Sequence, residues 1–520
     1  MRSFGLLQWL ALLAGVAAAL PLIGIVAAAF SGATADIAAK DVGRYALTSA
    51  GLALLVGLIT AILGTLAAWL VVMHRFPGRD IFAWALALPL AAPAFALAYA
   101  YGDLFDVAGS LRMWMRGTLG FDMPFEMRTI PGAAFVLSCA FYPYVYLAMR
   151  SAFLNQSVTA LEAARTLGCS QRRAFFRAAL PLARPALAAG MALAIMETLA
   201  DYGAVQFLSV QTLTTGVVRA WSVYGSTASA AQFALPLLGA AALLLWVERA
   251  GRRGRGYEAN RARWRELPVT TLKGAKAVLA FGFCLLLLTL GLLLPCFWLA
   301  WNGLNVSPDW ARLFDAAEHS VILSIAGAAL TVALATALAL GAARLPLAAR
   351  VASLGYATPG AVMAIGLLAP AALIWRIVPG ATGFSVAIGL LLYAYAARLM
   401  AAALEPVDAG LAKVTPNMLW ASRSLGRGPV STAWHVQLPI ARGALLTAAL
   451  LVFIDILKEL PATLILRPFN FDTLAVIANN YALDERLEQA GWPSLLIIAL
   501  ALPAVIWLTR KIARSRPGAA

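Results

Sequence analysis

The stretch "LEAARTLGCSQRRAFFRAALPLARPALAAG", residues 161–190, is basic and polar yet lies between long apolar runs, and a second like it, "WASRSLGRGPVSTAWHVQLPIARGALLTA", occupies 420–448. Gly168 and Pro181 of the first match Gly426 and Pro439 of the second, each pair 258 residues apart. The same shift sets Glu197 on Asp455 and Asp201 on Glu459. A repeat of this length, in a chain whose apolar runs continue on both sides of each copy, reads as a duplication of a whole membrane unit.

Composition agrees. The 520 residues are 62% hydrophobic and 12% charged, with a mean hydropathy of +0.82, which excludes a soluble globular protein. Runs of about 20 apolar residues, enough to cross a ~30 Å hydrocarbon core as a helix, recur from end to end. They are continuous rather than alternating, so helices and not barrel strands are expected. The fold class is therefore an all-α polytopic membrane protein, with about twelve transmembrane helices as two duplicated six-helix halves. The expected spans lie at about 6–30, 45–72, 81–101, 131–152, 184–204, 231–247, 277–300, 319–343, 352–376, 382–403, 442–465 and 493–509. The first run is too long for the core of a signal peptide and is read as a retained span.

With the N-terminus cytoplasmic, most of the 40 Lys and Arg fall in inside segments. These include Arg75 and Arg79, Arg150 to Arg184, Arg249 to Lys276, Arg398 to Arg442, and Arg510 to Arg516. That asymmetry sets topology and places both termini inside. The expected organisation is a first transmembrane half at 1–250, an arginine-rich linker at 251–275 and a second half at 276–520. The net charge of +16 then meets anionic headgroups of membrane lipids, not nucleic acid. Cys139, Cys169, Cys284 and Cys296 have no paired spacing and are read as packing residues. His74, His319 and His435 are isolated in sequence and suggest no metal site.

Each basic copy follows the fourth span of its half. In the first, Leu161 to Leu167 can form a short helix with Glu162 in its first turn. Gly168 permits a turn, Ser170 can cap a second helix, and Pro181 marks entry into the fifth span. The product is a helix-turn-helix knob standing out of the membrane. Glu162, Ala163, Ala164, Gly168, Leu180 and Pro181 resemble the EAA loop of permease subunits in binding-protein-dependent ABC importers. The second copy keeps Gly426, Leu438 and Pro439 but carries Trp420, Ala421 and Ser422 at the triplet. The resemblance implies a type I importer permease whose loops, 161–181 and 420–439, dock in grooves of a separate cytoplasmic ATPase, expected as a homodimer. ATP and Mg would sit on that partner, with no cofactor bound by this chain.

The segments "YPYVYLAMRSAFLNQS", "METLADYGAVQF", "TLTTGVVRAW" and "LKELPATLILRPFNFDTLAVIANNYA" further resemble the fused permeases of ferric-iron importers. That resemblance implies delivery by an extracytoplasmic solute-binding protein, alternating access, and a bacterial inner-membrane location. Fused permeases for thiamine or phosphonates share the architecture, so those cargoes stay open.

The acids carry information of their own. Glu197 and Asp201 lie about 13–17 residues, or roughly 20–25 Å, into the fifth span at 1.5 Å per residue. Asp455 and Glu459 lie at the same depth in the eleventh. Four residues apart, each pair is expected to share a helix face. Gly203 and Pro461 follow and should loosen or end the helix. Charges at that depth should face the bundle interior. With Tyr202 they are candidates for the translocation pathway or its gate, as ligands of a hard cation or as ion pairs, Lys458 being a ready partner. The segments 206–231 and 467–493 are expected to be outer loops that receive the binding protein, or simple connectors. Residues 102–130, with Trp114, Phe121 and Phe125, read as an interfacial stretch.

A two-times-six secondary transporter is the main rival, but it has no use for a duplicated cytoplasmic knob, and its coupling acids belong nearer the midplane. A membrane enzyme is the second. No nucleophile elbow, HExxH or phosphate loop occurs, and "GRGPVST" at 426–432 lacks the lysine needed to hold ATP.

Overall fold

The computed structural model of the chain describes residues 5–514 except 32–36, 108, 123–125, 156–172, 174, 253–268, 342–347, 349–350, 353, 356–357 and 378–382. The first half holds α1 (Leu6–Ala29), α2 (Ile37–Met73), α3 (Arg79–Ala85), α4 (Ala94–Phe105), α5 (Ser110–Leu119), α6 (Ile130–Asn155), α7 (Leu180–Ala200), α8 (Gly203–Phe207), α9 (Leu213–Ser222) and α10 (Thr227–Arg252). The second holds α11 (Ala275–Leu288), α12 (Leu294–Gly303), α13 (Trp310–Gly341), α14 (Gly360–Ile377), α15 (Gly383–Leu411), α16 (Pro416–Ser424), α17 (Pro429–Thr432), α18 (Leu438–Leu457), α19 (Pro461–Leu466), α20 (Leu474–Leu483) and α21 (Leu487–Arg514).

Among the described residues ten helical stretches are long and apolar enough to cross a membrane, each matching one expected span. The expected span 81–101 is instead a bent pair, counted as an eleventh. Its break at Ala92–Pro93 follows from proline, which sits as the N-cap of α4 in extended backbone (φ −64°, ψ 142°) and biases the residue before it away from helix. The expected span 352–376 falls on α14, which begins only at Gly360, directly after Pro359.

The chain divides into two compact units, and neither is a sequence half: one comprises 1–47, 211–242 and 306–504, the other 48–210, 243–305 and 505–520. In the first, α1 packs on α13, α14 and α15, and α13 and α15 pack with α18. Small residues allow the close crossing. Gly24 lies against Gly366 and Gly341 against Ala11, with no room for a β-carbon at either glycine. Pro21, inside α1, has no N–H for the carbonyl of Ala17. The Tyr393 hydroxyl of α15 donates to that carbonyl at 2.5 Å.

In the second unit, α11 and α12 lie against α3 and α4, and α7 against α6. A π-helical turn, Thr289–Leu293, precedes Pro295. Tyr101 of α4 donates to the carbonyl of Leu290 in that turn at 2.5 Å. Trp298 of α12 donates to Asp103 at 2.7 Å, and Asn302 donates to the same carboxylate oxygen. Each unit thus takes its opening span from the other half and ties it with a tyrosine from a neighbouring helix to a carbonyl four or five residues ahead of a proline. Two short parallel strands, β1 (His74–Arg75) and β2 (Thr270–Thr271), join the segment after α2 to the far end of the linker, with Leu272 N–H donating to Arg75 at 2.9 Å. Both segments were assigned to the same side by charge.

Candidate translocation gate and coupling surface

The two halves build the same interrupted span. α7 ends at Ala200, and Asp201 follows in extended backbone (φ −65°, ψ 136°). Its Oδ1 accepts from the backbone N–H groups of Ala204 and Val205, each at 3.1 Å, capping α8. α18 ends at Leu457, and Oε1 of Glu459 accepts from Ala462 N–H at 3.1 Å, capping α19. Then comes a left-handed residue, Ser209 (φ 58°) or Asn470 (φ 59°). A threonine N-cap follows, Thr212 or Thr473, whose side chain accepts from the N–H three residues on to open α9 or α20.

The expectation that each acid pair shares one helix face is corrected here. Glu197 and Asp455 lie within helices, but Asp201 and Glu459 lie beyond the ends of α7 and α18. A carboxylate that accepts the orphan N–H groups of a new helix is worth more past a break than on a continuing helix. Gly203 and Pro461 open the short helices rather than end the long ones. Proline suits the first helical turn because its missing N–H would have no partner there. The stretches 206–231 and 467–493, expected as outer loops, are largely helical, since α9 and α20 occupy them with mostly buried residues.

The second break holds two ion pairs. Lys458 Nζ lies 3.0 Å from Asp455 Oδ1. Glu459, 6% exposed, pairs with Arg398 of α15 through Oε2. Thr463 donates to the Glu459 carbonyl at 2.9 Å and shares a 2.6 Å hydrogen bond with Tyr395. The charge pattern places Arg398 among the inside residues. It instead lies midway along α15, which continues eight residues past the expected end at 403. The signal was present: an arginine amid "LLLYAYAARLMAAAL" demands an interior partner. In the first break, Glu197 and Asp201 are half-buried and Tyr202 is buried.

The second candidate coupling loop has the expected helix-turn-helix backbone. α16 gives way to Gly426, which is left-handed (φ 79°), then to α17 and a π-helical turn, Ala433–Gln437, that runs into Leu438 and Pro439. Ser422 and Thr432, both buried, bond at 2.9 Å and tie the two short helices. Trp420, Leu425 and Trp434 are exposed, Leu425 at 80%. Large apolar side chains left exposed on a polar segment suit a protein contact. In the first copy, Glu162, Ala163, Ala164 and Gly168 lie outside the described residues. Its end is described: a π-helical turn, Phe175–Ala179, runs into Leu180 and Pro181 at the same 258-residue shift. Phe175 packs edge-on against Trp69 of α2, at 4.7 Å between ring centres.

Residues 53–250, which hold the first interrupted span and the first candidate coupling loop, match the family of binding-protein-dependent transport system inner membrane components. Over those residues the chain resembles the inner-membrane permeases of binding-protein-dependent transport systems. The matched family consists of inner-membrane transport components that depend on a binding protein, and the ten long apolar helices among the described residues suit such a multi-pass component. Along its length the chain is 26% identical to the Fe(3+)-transport system permease protein FbpB 2 of Haemophilus influenzae over 462 residues, 87% of this chain and 86% of that one. The sulfate transport system permease protein CysT of Escherichia coli is 29% identical over 157 residues, 30% of this chain and 55% of the relative. The molybdenum transport system permease protein ModB of Escherichia coli is 33% identical over 141 residues, 27% and 60% of the two chains.

The three histidines each have their own surroundings: His74 is buried beside Trp69, His319 stacks on Phe471 at 4.0 Å, and His435 meets the Ser431 carbonyl at 2.9 Å. Among the described residues no group of three His, Cys, Asp or Glu side chains could hold a metal ion.

Proposed function

We infer that this permease carries ferric iron, handed over by an extracytoplasmic binding protein, into the cytoplasm by alternating access. The observation that carries the reading is likeness across both halves to a ferric-iron permease, whereas the sulfate and molybdenum relatives match about a third of the chain or less. The halves, 1–250 and 276–520, act as duplicated half-channels joined by the linker 251–275, with both termini cytoplasmic. A homodimeric ATPase holding ATP and Mg grips the loops 161–181 and 420–439. The coupling residues are Glu162, Ala163, Ala164, Gly168, Leu180 and Pro181 in one half and Gly426, Leu438 and Pro439 in the other. Glu197, Asp201, Tyr202, Asp455 and Glu459 line the pathway or its gate. A hard trivalent cation prefers carboxylate oxygens, which supports the cargo assignment.

The test is uptake by proteoliposomes holding the permease, its ATPase and its binding protein, with ferric iron, thiamine and a phosphonate compared. Ferric iron alone should accumulate, with ATP and after ion gradients are collapsed. Thiamine or phosphonate uptake would replace the cargo, and uptake that follows an ion gradient would replace the mechanism. Converting Glu197→Gln and Asp201→Asn together should depress uptake while the ATPase stays bound; normal uptake would dismiss both the ligand and the gate roles of those acids.

A further inference from the structure

Four stretches of chain converge on α3. Arg79 Nε donates to the Val71 carbonyl of α2 at 2.7 Å, and β1, just ahead of α3, pairs with β2. Phe82 meets Phe281 of α11 edge-on at 5.4 Å between ring centres. Tyr146 of α6 donates to the Ala83 carbonyl at 2.9 Å, and the guanidinium of Arg510, near the end of α21, lies 4.9 Å from the centre of the Trp84 ring. The stretches gathered there, 74–85, 143–155, 270–285 and 505–511, carry seven Lys and Arg and a single acid, Asp80. Of Arg75, Arg79, Arg150 and Arg510, only Arg79 has a carboxylate partner among the described residues, Asp80 at 3.8 Å, and that side chain is 97% exposed. Arg150 is 7% exposed, and its charge and that of Arg75 both reach Arg79. Cations held this closely repel one another, and a buried one is costly until an anion meets it. The flank beside them is apolar: Ile81 is 59%, Val278 69% and Leu279 71% exposed.

We propose that this surface is a site for an anionic phospholipid, its phosphodiester held by Arg75, Arg79 and Arg150 and its acyl chains laid along Ile81, Val278 and Leu279. Guanidinium groups suit phosphate oxygens, which they meet with paired N–H donors. A soluble phosphate would satisfy the charge and leave the apolar flank uncovered, whereas a diacyl lipid answers both. The charge pattern assigns these span ends to the cytoplasmic side, where basic clusters at helix ends meet anionic head groups.

The site needs neither cargo nor ATPase, so the full-length protein in mild detergent is mixed with phosphatidylglycerol or phosphatidylcholine and bound lipid is counted by native mass spectrometry. Phosphatidylglycerol should bind about tenfold more tightly or better; equal binding of the two lipids overturns the proposal. Arg75→Gln with Arg150→Gln should lose about tenfold or more of the phosphatidylglycerol affinity, whereas Lys413→Gln with Arg442→Gln, exposed cations of α18 and the segment after α15, should stay within about threefold. Equal losses from both pairs would mean diffuse attraction to positive charge and no site. Inorganic phosphate in excess should not displace the lipid; displacement would make the ligand a soluble phosphate. If the Arg75→Gln, Arg150→Gln variant keeps its lipid and instead loses the ATPase in a pull-down, the occupant is a protein and the proposal fails. Phosphatidylglycerol with a photoreactive head group should label 74–85, 143–155 or 270–285 of the unmodified chain. Labelling confined to other stretches overturns the proposal even where the variants fail to insert.

Discussion

Replacing Gly24 by alanine probes how the opening span is held. A β-carbon at Gly24 would lie 2.0 Å from the carbonyl oxygen of Gly366, and one at Gly366 would lie 2.1 Å from that of Pro21. Both obstacles are backbone, so no side chain can swing aside. To reach even 3.0 Å, α1 and α14 must part by about 1 Å, which loosens the neighbouring contacts of Gly15 with Ala348 and of Ala11 with Gly341 as well. Inserting a methyl group into packing this tight costs about 1–3 kcal/mol, or roughly 5- to 150-fold in the equilibrium for seating the span. Thermal unfolding of the purified protein in nanodiscs reads the effect as a melting midpoint a few degrees lower. The control is Gly51→Ala in α2, where nothing lies within 4 Å of the new methyl and the exchange should stabilise by about 0.5–1 kcal/mol. If Gly24→Ala melts with or above Gly51→Ala, the close crossing does not hold α1 in place.

Tyr393→Phe leaves the Ala17 carbonyl without its donor and should destabilise by about 1–3 kcal/mol, read in the same melting assay; an unchanged midpoint would mean that water serves the carbonyl equally well. Gly168→Pro should leave the protein inserted but abolish transport-coupled ATP hydrolysis, whereas Gly426→Ala, which puts a β-carbon on left-handed backbone, should cost about 1–2 kcal/mol and weaken ATPase binding in a pull-down. Unchanged coupling in Gly168→Pro would remove the first knob from the mechanism. Asp122 hydrogen-bonds Arg112 at 2.7 Å and Arg116 at 2.8 Å, and the bond from Arg112, with lesser help from Arg116, holds its carboxyl below the usual range. Because the folded value is depressed, its contribution is complete above the unfolded value of about 3.9 and is lost as pH falls through the folded one. Trp114 fluorescence should thus stay constant down to about pH 4 and change only below it, while Asp122→Asn should show the changed signal at every pH; a transition near pH 6 in the unmodified protein would point to another group.

Much of this architecture was legible because membrane spans and duplications write themselves in long patterns. Ten apolar runs became helices in the expected places, and the 258-residue shift read from Gly168 and Pro181 returns in the backbone as paired π-helical turns. What stayed hidden was local or non-local in specific ways. The break at Pro93 falls inside an apolar run, so hydropathy passes over it. The helices α9 and α20 are short, depend on their threonine caps, and sit in stretches whose turn residues read as loop. Asp201 and Glu459 looked like helix-face residues because spacing cannot say where a helix stops. Arg398 was placed with the cytoplasmic charges because its partner, Glu459, lies 61 residues away. The composition of the two units depends on contacts between α1 and residues beyond 310, which no periodicity reports.

That last feature has a consequence for how the protein is made. α1 leaves the ribosome early, yet its seat on α13, α14 and α15 begins with Trp310. At about 5–20 residues per second, some 280 residues of further synthesis occupy roughly 15–60 s. For that time the first span waits in lipid with its glycine-bearing face bare and the Ala17 carbonyl unanswered. Truncated chains that stop at the linker would keep it waiting indefinitely, which makes them natural clients of membrane quality control.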